Sequence, residues 1–146
     1  MLVRFQHGPF FMSPYQLFDH TADIGITIRA DTAEKIFIDA AGAMFDIITD
    51  THRIKPKIQI EIRQEAQGYD ELLVGWLGEL LYQYSVRGIV FKEFSVQELS
   101  PKAVRVLCRG DKPTDEIKTE IKAVTYHELE FRKTPEGYEA KVIFDV

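Results

Sequence analysis

Two stretches of this chain repeat their apolar residues with the 3.6-residue period of a helix, while most other apolar stretches alternate with period two. That change of period constrains the fold more than any other feature. A helical stripe and a strand face each need another element to bury against, so the mixture calls for a layered α+β domain. The first helical stretch opens at Asp31-Thr-Ala-Glu34, where a capping side chain is followed three residues later by Glu. It runs to about Thr49, with Ile36, Ala40, Met44 and Ile48 beside Phe37, Ala41 and Phe45 on one apolar face. Asp70 is the expected cap of the second, which reaches about Val86 with Leu73, Leu77, Leu80, Leu81 and Tyr84 inward and Trp76 beside them. Arg87-Gly88 closes it, as a C-terminal glycine commonly does.

Alternation predicts strands over residues 16–18, 24–30, 57–63, 89–99, 103–109, 120–124, 127–134 and 138–146. Pro135-Glu-Gly137 marks a hairpin between the last two, and 110–118 is polar and reads as an exposed loop. The order β-β-α-β-α, then mostly β, predicts two helices packed on a mostly antiparallel sheet. The 146 residues suit a single domain with a real core. Pattern begins only after Pro14, so residues 1–12 are expected to be a poorly ordered extension, with the domain at 13–146 and Met12 an alternative start.

Charge and cysteine usage narrow the function. The net charge is −5 and the pI near 5.4, with scattered basic residues, whereas a chain that binds RNA or DNA by itself usually carries a basic stripe. Any link to nucleic acid is therefore expected to run through a protein partner. Cys108 is the single cysteine, which excludes an internal disulfide and Cys-based zinc sites. Its place in an alternating run makes it a small buried hydrophobe. No stretch approaches the ~20 apolar residues of a membrane span, and the first residues lack the features of a signal peptide. The expected location is the cytoplasm by default.

Three polar clusters are candidates for chemistry. Asp19-His-Thr-Ala-Asp23 puts two carboxylates, four apart, between apolar strands, either as a turn that caps backbone groups or as a set of oxygen ligands. In Lys122-Ala-Val-Thr-Tyr-His127 a strand breaks and restarts; His127 is a ligand, a general base or simply a hydrogen-bonded residue near a strand end. The closing Val142-Ile-Phe-Asp-Val146 ends a well-patterned strand on the Asp145 carboxylate and the terminal main-chain oxygens. Clustered carboxylates repel unless a cation neutralises them, and oxygen donors without Cys favour Mg²⁺, Ca²⁺ or Mn²⁺ over zinc.

Asp19-His-Thr-Ala-Asp-Ile-Gly25, Ala41-Gly-Ala-Met-Phe45 with Thr49-Asp50, Lys122-Ala-Val-Thr-Tyr-His127 and Val142-Ile-Phe-Asp-Val146, in that order and spacing, resemble the archease family. The likeness covers about Tyr15 to Val146. It implies a compact α+β domain that is not itself a catalyst, an accessory protein of tRNA-splicing RNA ligases of the RtcB type. In that family the ligase joins RNA ends through a guanylylated histidine, using GTP and Mn²⁺, and the accessory protein promotes guanylylation and repeated turnover. RNA is then met only through the ligase. The resemblance also implies a divalent-metal site at Asp23, Asp145 and the main-chain oxygens of Val146, with Ca²⁺ first and Mg²⁺ or Mn²⁺ as alternatives. Asp19 and His127 match motif positions near that site. The alternative is a small metal-dependent phosphoester hydrolase built from Asp19, Asp23 and Asp145 with His127 as base. A third reading is a chaperone-like module whose acidic cluster serves only folding.

Overall fold

The computed structural model describes Gln6–His7, Tyr15–His20 and residues 23–146, with side chains described at 15–17 and 23–146. The elements run β1 (Gln6–His7), β2 (Tyr15–His20), β3 (Asp23–Ala30), α1 (Ala33–Ile48), β4 (Ile58–Glu65), α2 (Tyr69–Arg87), β5 (Val90–Ser100), β6 (Ala103–Asp111), β7 (Ala123–Val124), β8 (Glu130–Thr134) and β9 (Gly137–Asp145). Apart from β1 the expected extension lies outside the described residues.

The architecture is α+β with antiparallel pairing, as the change of period predicts, but the strands divide between two sheets. One has the order β1-β5-β6-β4; the other has β2-β3-β9-β7, with β8 also paired to β9. Alternation within a strand says which face is apolar, not which sheet the strand joins. Both helices touch both sheets: α1 packs on β3 and β9 of one and β5 of the other, and α2 on β4 and on β7.

That placement changes the character of α1. Instead of one apolar face it is buried almost all round, and between Ile36 and Phe45 only Gly42 is not fully buried. Ala40, Ala41 and Ala43 allow the close approach of neighbours on every side. Thr32, rather than Asp31, is its cap: the Thr32 hydroxyl accepts from the Lys35 N–H at 3.1 Å. Its other end is held by 115–119, where the Lys118 N–H donates to the Ile48 carbonyl at 2.7 Å and the buried Thr49 hydroxyl donates to the Glu116 carbonyl at 2.8 Å.

The second helix corrects another expectation. Its cap is Gly68, with no side-chain hydrogen bond, and Asp70 lies inside the first turn, accepting from the Glu71 N–H. Gly88 ends it in the left-handed region at φ 70°, as expected from Arg87-Gly88. Trp76 is fully buried and donates its indole N–H to the Phe37 carbonyl at 2.9 Å, tying the helices together. Cys108 is fully buried on β6, and burial pushes its thiol up, so it packs as the sequence predicts.

Asp39 is the one charged side chain of the α1 interior, only 4% exposed, and one of its carboxylate oxygens has no hydrogen-bond partner. Burial pushes its pKa from 3.8 to about 6, against the attraction of Lys35 and with a smaller push from Asp31. The folded state therefore prefers the protonated acid. Its contribution to stability is complete below pH ~4 and is lost as pH rises through 6. Asp39→Asn is expected to stabilise the protein by about 1–3 kcal/mol at pH 8, with the gain vanishing near pH 4. Urea midpoints across that pH range check it; a gain independent of pH would contradict it.

Candidate functional site

The ladder between β3 and β9 places Asp23 directly opposite Asp145. The same ladder sets Ile24 against Phe144 and Ile26 against Val142, and these apolar residues form the helix-facing core, so the two aspartates share the other face. Residues opposite each other on antiparallel strands have Cβ atoms about 4.5–5.5 Å apart, so the two side chains leave the sheet side by side. They come from segments 122 residues apart in sequence, and only the register of β3 on β9 unites them.

Neighbouring strands complete the row. On the far side of β3 the backbone of His20 is in register with Asp23, and on the far side of β9 Ala123 faces Asp145. The Lys122 N–H donates to the Asp145 carbonyl at 2.7 Å, fixing the end of β9. Val146 is half-buried and packs against the core, which holds its main chain next to Asp145. One step along the same face Gly25 lies opposite Ile143, both buried, so the carboxylates stand on a dry floor.

The other candidates are placed as follows. The Asp19 backbone pairs with Ile24, one residue out of phase with the Asp23–Asp145 pair; its side chain lies outside the described residues, as do Thr21 and Ala22. His127 is not on a strand. It sits on the turn before β8, because Thr125 bends the chain: its N–H and hydroxyl both donate to the Ile143 carbonyl, at 3.0 and 2.9 Å, and its hydroxyl accepts from the His127 N–H. Glu128 follows in the left-handed region at φ 51°, and β8 starts only at Glu130. A Thr that accepts from two residues downstream is a turn signal, so the break expected after Val124 is borne out, but the strand expected from His127 starts only at Glu130.

Like charges directly opposite on adjacent strands are destabilising. Among the described residues, no Lys, Arg or His forms an ion pair with Asp23 or Asp145. No group of three or more His, Cys, Asp or Glu side chains gathers for a metal there, again among the described residues. The donor set is thus two carboxylates plus main-chain oxygens, the hard donors suited to Ca²⁺, Mg²⁺ or Mn²⁺, and these residues fit such an ion.

A small α+β domain with two helices shared between antiparallel sheets, and a carboxylate pair where β3 meets β9, is the class of protein that these observations define. The pattern of the Archease protein family (MTH1598/TM1083) matches residues 15–146, and this chain belongs to that family. It is 40% identical over 139 residues to the protein archease of Methanosarcina barkeri, covering 90% of this chain and 95% of the relative. With the Pyrococcus furiosus protein archease it shares 35% over 143 residues, covering 92% and 100%. The solution structure of Methanobacterium thermoautotrophicum protein 1598 superposes with a TM-score of 0.78 at 29% identity, over 92% of this chain and 100% of that one. The Thermotoga maritima crystal structure, described as an archease and possible chaperone, has the same fold, with a TM-score of 0.65 at 22% identity over 88% and 94%. No described helix is long and apolar enough to cross a membrane.

Proposed function

We propose that this protein is a metal-binding accessory factor of an RtcB-type RNA ligase, which promotes the ligase's guanylylation and its multiple turnover without catalysing a reaction of its own. Membership of the archease family supports the partner, and the observation that carries the site is the register that sets Asp23 against Asp145. In this reading Asp23, Asp145 and the main-chain oxygens of Val146 hold a divalent cation, Ca²⁺ first and Mg²⁺ or Mn²⁺ as alternatives. The cation supplies positive charge where nucleotide phosphates are activated on the partner. The chain's own residues do the positioning: the β3–β9 ladder fixes the carboxylates, the Lys122 N–H holds the Asp145 carbonyl, and the Ile143 floor keeps water from one side. RNA is reached through the ligase, in keeping with a net charge of −5, and the cytoplasm is the expected setting.

A guanylylation assay of the cognate ligase tests this. The protein is expected to raise the rate of ligase–GMP formation at substoichiometric amounts and to show no turnover on nucleotides or phosphoesters alone. Phosphoester hydrolysis without the ligase would replace this reading with the hydrolase. Unchanged ligase guanylylation would remove it.

A further inference from the structure

Between β6 and β7 the chain crosses from one sheet to the other, and the crossing is no slack loop. From Lys112 to Ile121 exposed residues alternate with inward ones, ending on the buried Ile121. Its anchors lie at the end of α1. The Ile48 carbonyl, one of the last of the helix and so without a partner inside it, accepts from the Lys118 and Thr119 N–H groups at 2.7 and 3.3 Å. Thr49 forms an isolated antiparallel bridge with Ile117, and its hydroxyl donates to the Glu116 carbonyl at 2.8 Å. Thr49 is fully buried, so that hydroxyl has no water to turn to instead. The bond satisfies a carbonyl of the crossing segment and none of the helix, so its effect falls on where the segment lies.

Three residues past Thr119 the same segment reaches the carboxylate row. The Tyr84 hydroxyl donates to Glu120 on the way, at 3.2 Å, and the Lys122 N–H donates to the Asp145 carbonyl at 2.7 Å. Three residues of extended chain span at most about 11 Å, so a shift at 116–119 passes to Lys122 with little slack to absorb it. The Asp145 carbonyl and the Val146 nitrogen share one rigid peptide plane. Whatever fixes that carbonyl therefore sets the direction in which Val146 and its main-chain oxygens leave β9.

We infer that Thr49 is a positioning residue of the carboxylate site. It acts through the segment 116–122, which holds the Asp145–Val146 peptide at the angle that a divalent cation requires. This rests on the cation reading above and adds to it a residue at the end of α1, well away from the ligands in sequence.

Two measurements on the full-length protein test this: calorimetric titration with Ca²⁺, and hydrogen exchange of the Lys122 amide in the cation-free state. Thr49→Val keeps the shape and loses the donor. It is expected to lower Ca²⁺ affinity about three- to tenfold and to speed exchange at Lys122 by a similar factor. Thr49→Ser restores the hydroxyl and is expected to behave as the wild type does. Ile62→Val, a core truncation on β4 of comparable cost to folding, is expected to leave both readouts unchanged. Tyr84→Phe removes the Glu120 contact without touching α1, and a smaller loss of affinity in the same direction is expected; it decides the question should Thr49→Val not fold. Wild-type Ca²⁺ affinity in Thr49→Val and Tyr84→Phe, or an equal loss from Ile62→Val, overturns the positioning role and leaves the cation reading intact. A wild type that takes up none of Ca²⁺, Mg²⁺ and Mn²⁺ overturns both.

Discussion

Asp145→Asn is expected to remove most of the stimulation of ligase guanylylation, and yet to leave the cation-free protein as stable as the wild type or more so. The opposite signs follow from the geometry. Without a cation, Asp23 and Asp145 are like charges on opposed positions of adjacent strands, with no basic side chain paired to either among the described residues. At about 5 Å such a pair repels by about 1 kcal/mol in a water-like medium, which Asn relieves. With a cation the balance inverts: a ligand at a hundred times its dissociation constant stabilises the folded state by about 2.7 kcal/mol. The wild type is then expected to gain roughly 5–10 °C in melting temperature on adding Ca²⁺, since each kcal/mol is worth about 2–4 °C in a domain of this size. Asp23→Asn and Asp145→Asn are expected to give flat responses. Scanning calorimetry with and without Ca²⁺, Mg²⁺ and Mn²⁺ checks this independently of activity. Equal shifts in wild type and both variants would place the cation elsewhere, and a melting temperature that falls in the variants without cation would make the pair a folding element.

Trp76→Ala is expected to have the largest effect on stability. The indole is fully buried, lies edge-on to Phe94 with ring centroids 5.9 Å apart, and hydrogen-bonds across the helix pair. Truncating a buried Trp to Ala removes about 3–5 kcal/mol through lost transfer and a cavity. The Phe37 carbonyl would lose its indole donor as well, which adds about 1–3 kcal/mol if it stays dry. Against a total of about 5–15 kcal/mol, that brings the domain close to unfolding at physiological temperature. Trp76→Phe keeps a ring and loses the donor, so a smaller loss is expected. Urea unfolding of both variants separates packing from hydrogen bonding; similar losses would assign the effect to the hydrogen bond.

Much of the fold was legible because period is a local property. Both helices, the α2 stop at Gly88 and the hairpin into β9 follow from spacing and turn residues. What failed was set by tertiary surroundings. The division into two sheets and the all-round burial of α1 depend on what lies beyond each apolar face, and no spacing rule reports that. Asp39 illustrates it: on an amphipathic helix it reads as a solvated acid, and in the folded domain it is 4% exposed. The caps differ for a similar reason. Asp31 and Thr32 compete for one role, as do Gly68 and Asp70, and the backbone entering the helix decides between them.

The carboxylate pair was legible in part. Sequence marks Asp23 and Asp145 as charges at the ends of apolar strands, but their meeting depends on β3 pairing with β9 at one register. A slip of one residue would turn either side chain to the helix-facing side. The break in Lys122–His127 was legible, but the restart was placed at His127, and the turn through His127 and Glu128 delays it to Glu130.

The position of β9 has a consequence for how the molecule is made. It is an inner strand of its sheet, with β3 along one edge and β7 and β8 along the other, although it comes after all of them in chain order. During synthesis β3 must wait on the ribosome with one edge unsatisfied until the final strand slides in beside it. Closure of that gap is a long-range and therefore slow event. Any early release of the nascent chain leaves an open strand edge exposed to other polypeptides.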